Sequence, residues 1–208
     1  MENKTGTLRT FSFLLITLAV YFLAWQSLSL CFDLPPYYYA RLIEFLAILL
    51  FIALALSTPM RFSKMGIAVP RAVLLRSLAA GGTLSFVLCL LLIPVAAASG
   101  RIPLFSLAIN GDISRATYIL VAPLQEVLSK SVMYYSFELC FEEKHPHLTN
   151  ALCALVFGIF HVVYGLPMML LSMALSLLTG WLFQKNRCVW GCAIAHFSLG
   201  FLPGCFGL

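Results

Sequence analysis

The chain has 208 residues, of which 62% are hydrophobic and only 10% charged. A water-soluble domain carries roughly 25% charged residues, so a water-facing surface is excluded over most of this chain. The formal charge of +5, from 13 Lys and Arg against 8 Asp and Glu, reports loop orientation in such a chain, not nucleic-acid binding.

A membrane span takes ~20 apolar residues. The apolar runs predict an all-α, polytopic membrane helix bundle of about seven transmembrane helices, with residues 1–208 forming a single integral membrane domain. The first span runs from Thr10 to Phe32 and stops at Asp33 and the Pro35-Pro36 pair. Lys4 and Arg9 ahead of it imitate a signal peptide, but the run exceeds an h-region of ~7–15 residues and no A-x-A site follows. LSLC (Leu28 to Cys31) resembles a lipoprotein cleavage box, with Leu30 where a small residue is needed. The span therefore reads as uncleaved.

The second span runs from Arg41 to Thr58, with Glu44 near its entrance, and ends before Pro59. A basic connector follows, carrying Arg61, Lys64, Arg71 and Arg76. The third span covers Ser77 to Ala98, and its Gly81-Gly82 pair permits close helix packing. Ser99 to Ala116 reads as a polar loop. The fourth span runs from Thr117 to Cys140, with Pro123 in its first turns, where a bend is tolerated. Glu138 and the EEKHPH segment (Glu142 to His147) read as a solvated loop before the fifth span, Leu148 to Tyr164. Gly165 and Pro167 mark a turn into the sixth, Met168 to Phe183. Lys185 and Arg187 close it, and the seventh runs from Val189 to Phe206.

Nine Lys and Arg fall on one set of alternate connectors (Lys4, Arg9, Arg61, Lys64, Arg71, Arg76, Lys144, Lys185, Arg187) and three on the other (Arg41, Arg101, Arg115). With seven spans, that bias places the N-terminus in the cytoplasm and the C-terminus outside. The seven cysteines fall mostly within apolar runs and read as small buried hydrophobes. Cys188 and Cys192 are four apart with no second pair, which is not a zinc pattern.

Three ionisable side chains interrupt the last apolar stretches. Glu126 lies in APLQEVLSK with Lys130 one turn later, His161 ends FGIFH, and His196 lies in AHFSLG. Such groups at membrane depth are costly, and they face a polar cavity or each other. Gln125 and Glu126 sit about nine residues into their span, ~13 Å at 1.5 Å per residue, and all three groups could meet in the outer half of the bilayer. A carboxylate with two imidazoles can hold water, activate it and stabilise an oxyanion. Glu126, His161 and His196 are also a conceivable metal-ligand set, but no HExxH is present and each comes from a different span. No cofactor is expected.

APLQEVLSK, FGIFH and AHFSLG, in that order on successive spans, resemble the three motifs of the CAAX-protease and bacteriocin-processing family (CPBP, or Abi). These are glutamic intramembrane endopeptidases and include the eukaryotic CAAX prenyl endopeptidase. The family pattern is EExxxR, then FxxxH, then HxxxN or a similar residue. KMGIAVPR (Lys64 to Arg71) resembles the region before the family's core. The resemblance covers Thr117 to Leu208, the expected CPBP-like catalytic core at 117–208. It reaches the N-terminal half only through hydropathy.

Carried over by position, the water-activating glutamate falls on Gln125 and the second glutamate on Glu126. The motif arginine falls on Lys130, which would keep a charge pair at i, i+4 with Glu126. Phe157 and His161 match the second motif and His196 the third, while the last polar position falls on Gly200. An amide cannot serve as a general base near neutral pH. Three explanations compete: Glu126 replaces it, the chain binds without cutting, or Gln125 is a substitution made to trap a substrate. On a helix Gln125 and Glu126 point ~100° apart, so replacement requires a rotation or a bend, which Pro123 could supply.

The resemblance implies an endopeptidase in a prokaryotic inner or plasma membrane, cleaving a membrane-associated protein or peptide such as a C-terminal anchor, a leader or a prenylated tail. Its site would comprise Glu126, His161, His196 and Gln125, supported by Lys130, Phe157 and Gly200. Its partners would be that substrate and the lipid bilayer, with no nucleic acid. The alternative is a catalytically impaired relative acting in binding, immunity or sorting. A small transporter would need matching inverted halves, and no internal repeat is visible.

Overall fold

Inside a bilayer a backbone can satisfy its own polar groups only as helix or closed barrel. The computed structural model, which describes residues 2–34, 36–58, 60–98 and 113–205, is all-α. Its helices are α1 (Glu2–Cys31), α2 (Pro36–Ser57), α3 (Arg71–Ala98), α4 (Ile113–Glu126), α5 (Tyr135–Cys140), α6 (Pro146–Ile159), α7 (Leu166–Asn186) and α8 (Val189–Cys205). A π-helical stretch, Val127–Tyr134, joins α4 to α5, so these three form one rod. Among the described residues, three helices are long and apolar enough to cross a membrane: Thr7–Cys31, Arg71–Pro94 and Leu166–Asn186. The chain is a polytopic helical membrane protein.

Several expected boundaries move. The helices α1, α2 and α3 begin at Glu2, Pro36 and Arg71 and not at Thr10, Arg41 and Ser77, and two more shifts lie near the candidate site. The fourth rod begins at Ile113, not Thr117, and the rest of the expected polar loop, with Arg101, lies outside the described residues. The fifth helix ends at Ile159, and His161 lies in a turn before a short 3₁₀ segment, Val162–Tyr164.

The polarity of the molecule is inverted relative to a soluble bundle. Leu23, Leu30 and Leu56 are among many large apolar side chains left exposed, as lipid contact requires. Ser129, Ser131, Ser136, Ser172, Ser176 and Thr179 are buried. Small residues let backbones approach where lipid and core are equally apolar. A Cβ on Gly81 in α3 would overlap the carbonyl of Gly191 in α8, and one on Gly180 in α7 would overlap the Asn150 side chain of α6. Gly82 has open space around it, so only one member of the glycine pair serves packing.

One end of the bundle is clasped. Gly66 turns the KMGIAVPR connector with φ +72°, a left-handed conformation that glycine adopts without strain. Its carbonyl then accepts the amide of Val189 at 3.0 Å. Trp190 Nε1–H donates to the Ile67 carbonyl at 2.8 Å. At the same end Arg187 forks onto Glu138, with bonds of 3.0 and 2.7 Å, and Lys64 pairs with Glu143. Glu138 is thus a buried structural partner and not part of the solvated loop. The neighbouring Glu142 and Glu143 are exposed, as expected.

Candidate active site

The fourth rod places two adjacent polar side chains on different walls. Gln125 points to α2, where its Nε2–H donates to Glu44 Oε1 at 3.4 Å. Glu126 points to α8, where Nδ1–H of His196 donates to Glu126 Oε1 at 3.0 Å. Both members of that pair are buried. The divergence is what 3.6-residue periodicity dictates. The helix does not rotate to bring Glu126 into the place of Gln125.

Among the described residues Lys130 forms no close ion pair with Glu126, although the two charges still attract. The Lys130 Nζ donates to the Ser176 carbonyl at 2.8 Å and to Ser176 Oγ at 2.7 Å. A wholly buried ammonium takes the acceptors that reach it, and here α7 supplies them. The residue expected to hold a motif charge pair instead fastens the π stretch to α7.

His161 is held from its own chain, its Nδ1–H donating to the Phe157 carbonyl at 2.8 Å. That bond satisfies a carbonyl left open where α6 ends. It also fixes the neutral tautomer, so Nε2 carries a lone pair. The Phe157 ring lies 4.7 Å from the His161 ring and 5.6 Å from the His196 ring. Among the described residues, Glu126, His161 and His196 do not converge as a metal-ligand group.

Gly200 has a spatial reason to be glycine. A Cβ there would overlap the hydroxyl of Tyr118 from α4. The Tyr118 ring also meets His196 edge-on at 6.1 Å. A polar oxygen therefore stands beside the third motif, supplied by Tyr118 rather than by position 200. Nothing in the sequence around Tyr118 marks this role.

A cavity of about 520 Å³ opens beside these residues. Gln125, Leu128 and Ser129 line it from the fourth rod, Phe157 and His161 from the end of α6, and Tyr21, Trp25, Ile43 and Glu44 from α1 and α2. Glu126 and His196 do not reach it. Asp33, Leu34 and Tyr164 also contribute to the lining. They come from the α1–α2 turn and the α6–α7 turn, at the end opposite the clasp. The wall is mostly aromatic and aliphatic, with Glu44, Gln125 and His161 among its polar groups, a composition common to ligand sites.

Residues 113–202 match the family of the type II CAAX prenyl endopeptidase, Rce1-like. This segment is similar to the Rce1-like domain. No curated protein and no solved structure matches the chain. The matched segment supplies Gln125, Phe157 and His161 to the cavity, and Glu126 and His196 beside it. The opposite wall, including Glu44, comes from the α1–α2 hairpin, which lies outside the matched segment.

Proposed function

We propose that the chain is an intramembrane endopeptidase that cleaves a membrane-associated protein or peptide within this cavity. The observation that carries the reading is the placement of Gln125 and His161 on one cavity wall, with the buried Glu126–His196 pair linked to that wall through Phe157. His161 offers an Nε2 lone pair to a water or to the peptide. Glu126 fixes the tautomer and orientation of His196, as an acidic partner does in a catalytic triad. Gln125 orients the water or the scissile carbonyl through its amide. The apolar wall accepts a chain delivered from the bilayer, such as an anchor, a leader or a lipid-modified tail.

In this reading seven spans cross the membrane, residues 117–208 act as the catalytic core, and the basic clasped end faces the cytoplasm. The concentration of Arg61, Lys64, Lys144 and Arg187 near that end supports the orientation. The cavity then opens toward the outer face. Substituting Glu126, His161 or His196 by alanine is expected to reduce cleavage of a reconstituted substrate by about 100-fold or more, with the protein still recovered as a monodisperse detergent complex. Full activity in all three variants rejects the assignment.

A second reading, binding without cleavage, is favoured by one observation. The cavity-facing position of the first motif is the amide of Gln125, where the family pattern has a glutamate.

A further inference from the structure

Gln125 leaves the first motif without a carboxylate in the cavity, and Glu126 does not reach it. The cavity nevertheless contains one, from the other side. Glu44 of α2 lines it and meets Gln125 directly, Gln125 Nε2–H donating to Glu44 Oε1 at 3.4 Å. Arg41, one turn earlier, donates to the same oxygen at 2.9 Å. The one other carboxylate in the lining, Asp33, sits in the turn after α1. A carboxylate held by a guanidinium, half-buried inside a hydrophobic bundle, is an expensive arrangement that marks a working group more often than a structural one.

We propose that Glu44 is the general base of this site, supplied by α2 in place of the carboxylate that Gln125 lacks. This rests on the endopeptidase reading above. A water held between Glu44 and the scissile carbonyl gives a proton to the Glu44 carboxylate as its oxygen bonds to the carbonyl carbon. The carbon–nitrogen bond then breaks, and the protonated Glu44 returns that proton to the departing amine. The sum is peptide plus water to acid plus amine, with Glu44 regenerated. His161 Nε2 and the Gln125 amide lie on the same cavity and position the water. Arg41 keeps the carboxylate in place and touches no reacting atom, which makes it a positioning residue.

The test is an exchange of the two side chains. The full chain is reconstituted in liposomes with two internally quenched probes, a farnesylated peptide ending in Cys-aliphatic-aliphatic-X and a peptide with a transmembrane anchor. Glu44→Gln is expected to lower kcat about 100-fold with KM within about threefold, and Glu44→Gln/Gln125→Glu to restore at least about a tenth of the lost rate. The exchange keeps one carboxylate and one amide in contact, so its rescue separates a missing base from a damaged fold. Binding of non-hydrolysable fluorescent versions of the probes checks that each variant is folded. Cleavage by Glu44→Gln within about threefold of the unmodified chain overturns the role of Glu44 and leaves the endopeptidase reading standing. So does a gain of about tenfold or more in Gln125→Glu alone while Glu44→Gln is silent. If neither probe is cut by the unmodified chain or by Gln125→Glu, although both proteins bind them, the endopeptidase reading falls and the role of Glu44 falls with it.

Discussion

At the scale of single residues, the decisive contact is the one between Glu126 and His196. Both are buried, and Oε2 of Glu126 has no hydrogen-bond partner among the described residues. The bond from His196 is the carboxylate's closest polar contact, with Lys130 and Thr179 adding weaker attraction. His196→Ala strands a buried acid, and loss of one partner of such a pair costs about 3–5 kcal/mol. Thermal unfolding in detergent should fall markedly for His196→Ala, and much less for Glu126→Gln/His196→Ala, in which the stranded group is neutral. Equal losses in the two proteins would show that the charge is not what matters.

Part of this arrangement was legible in the sequence. That a carboxylate and a histidine at membrane depth face each other was legible for Glu126 and His196. His161, by contrast, lies apart on the cavity, and the ~100° step between Gln125 and Glu126 left a rotation or a bend open. What spacing could not reveal is which wall each one faces, because that depends on how α2 and α8 pack around the fourth rod. Glu44 was visible only as a charge near the start of an early span. Ser176 was invisible, because nothing in a serine's neighbours announces that it will receive the Nζ of Lys130.

At the scale of elements, the backbone does as much as the side chains. A π-helical stretch begins at the residue after Glu126 and carries Lys130. Such stretches insert an extra residue per turn and recur where a helix must re-aim its side chains. The α6 helix stops at Ile159, short of the expected Tyr164, which frees His161 to turn back on Phe157. Hydropathy continues through this turn without a break, so composition alone runs the helix too far.

The helix crossings rest on glycine in a position-specific way. Gly81→Leu and Gly180→Leu should each destabilise the bundle, because α3 meets the Gly191 backbone and α7 meets Asn150 with no space for a side chain. Gly82→Ala should be tolerated or slightly stabilising, since alanine is the better helix former by ~1 kcal/mol. Expression and unfolding temperature of the three variants measure the contrast. A Gly82→Ala protein as damaged as Gly81→Leu would mean that the helix, not the crossing, is sensitive. The sequence offered the Gly81-Gly82 pair as a unit, and only the crossing with α8 distinguishes its members.

At the scale of the whole molecule, the clasped end carries Arg61, Lys64, Glu138, Glu142, Glu143, Lys144 and Arg187, against Asp33, Arg41 and Glu44 at the other. Lys64 hydrogen-bonds the exposed Glu143, and with the nearby charges of Arg187 and Arg61 it holds that carboxyl below its ordinary value. A lowered carboxyl contributes stability above its unfolded value, near 4.3, and loses it as pH falls through the lower folded value. Melting in detergent should therefore drop by a small amount as the pH is taken below about 4, small because both side chains reach solvent. Glu143→Gln should flatten that part of the profile, and an unchanged slope would remove the pair from the account.

The same clasp has a mechanical corollary. Gly66 to Val189, Ile67 to Trp190 and Glu138 to Arg187 tie the α2–α3 connector, α5 and the α7–α8 junction together, while α1 meets the end of α6 through aromatic rings, Tyr21 lying 4.5 Å and Phe22 5.5 Å from Phe160. Rings can slide where hydrogen bonds must break. In the endopeptidase reading the clasped end would serve as a fulcrum and the α1–α2 hairpin as a jaw, latched by the Gln125–Glu44 bond. A chain too wide for the cavity at rest would enter sideways from the lipid by prising that jaw, and α2 would carry Glu44 with it as the jaw closed.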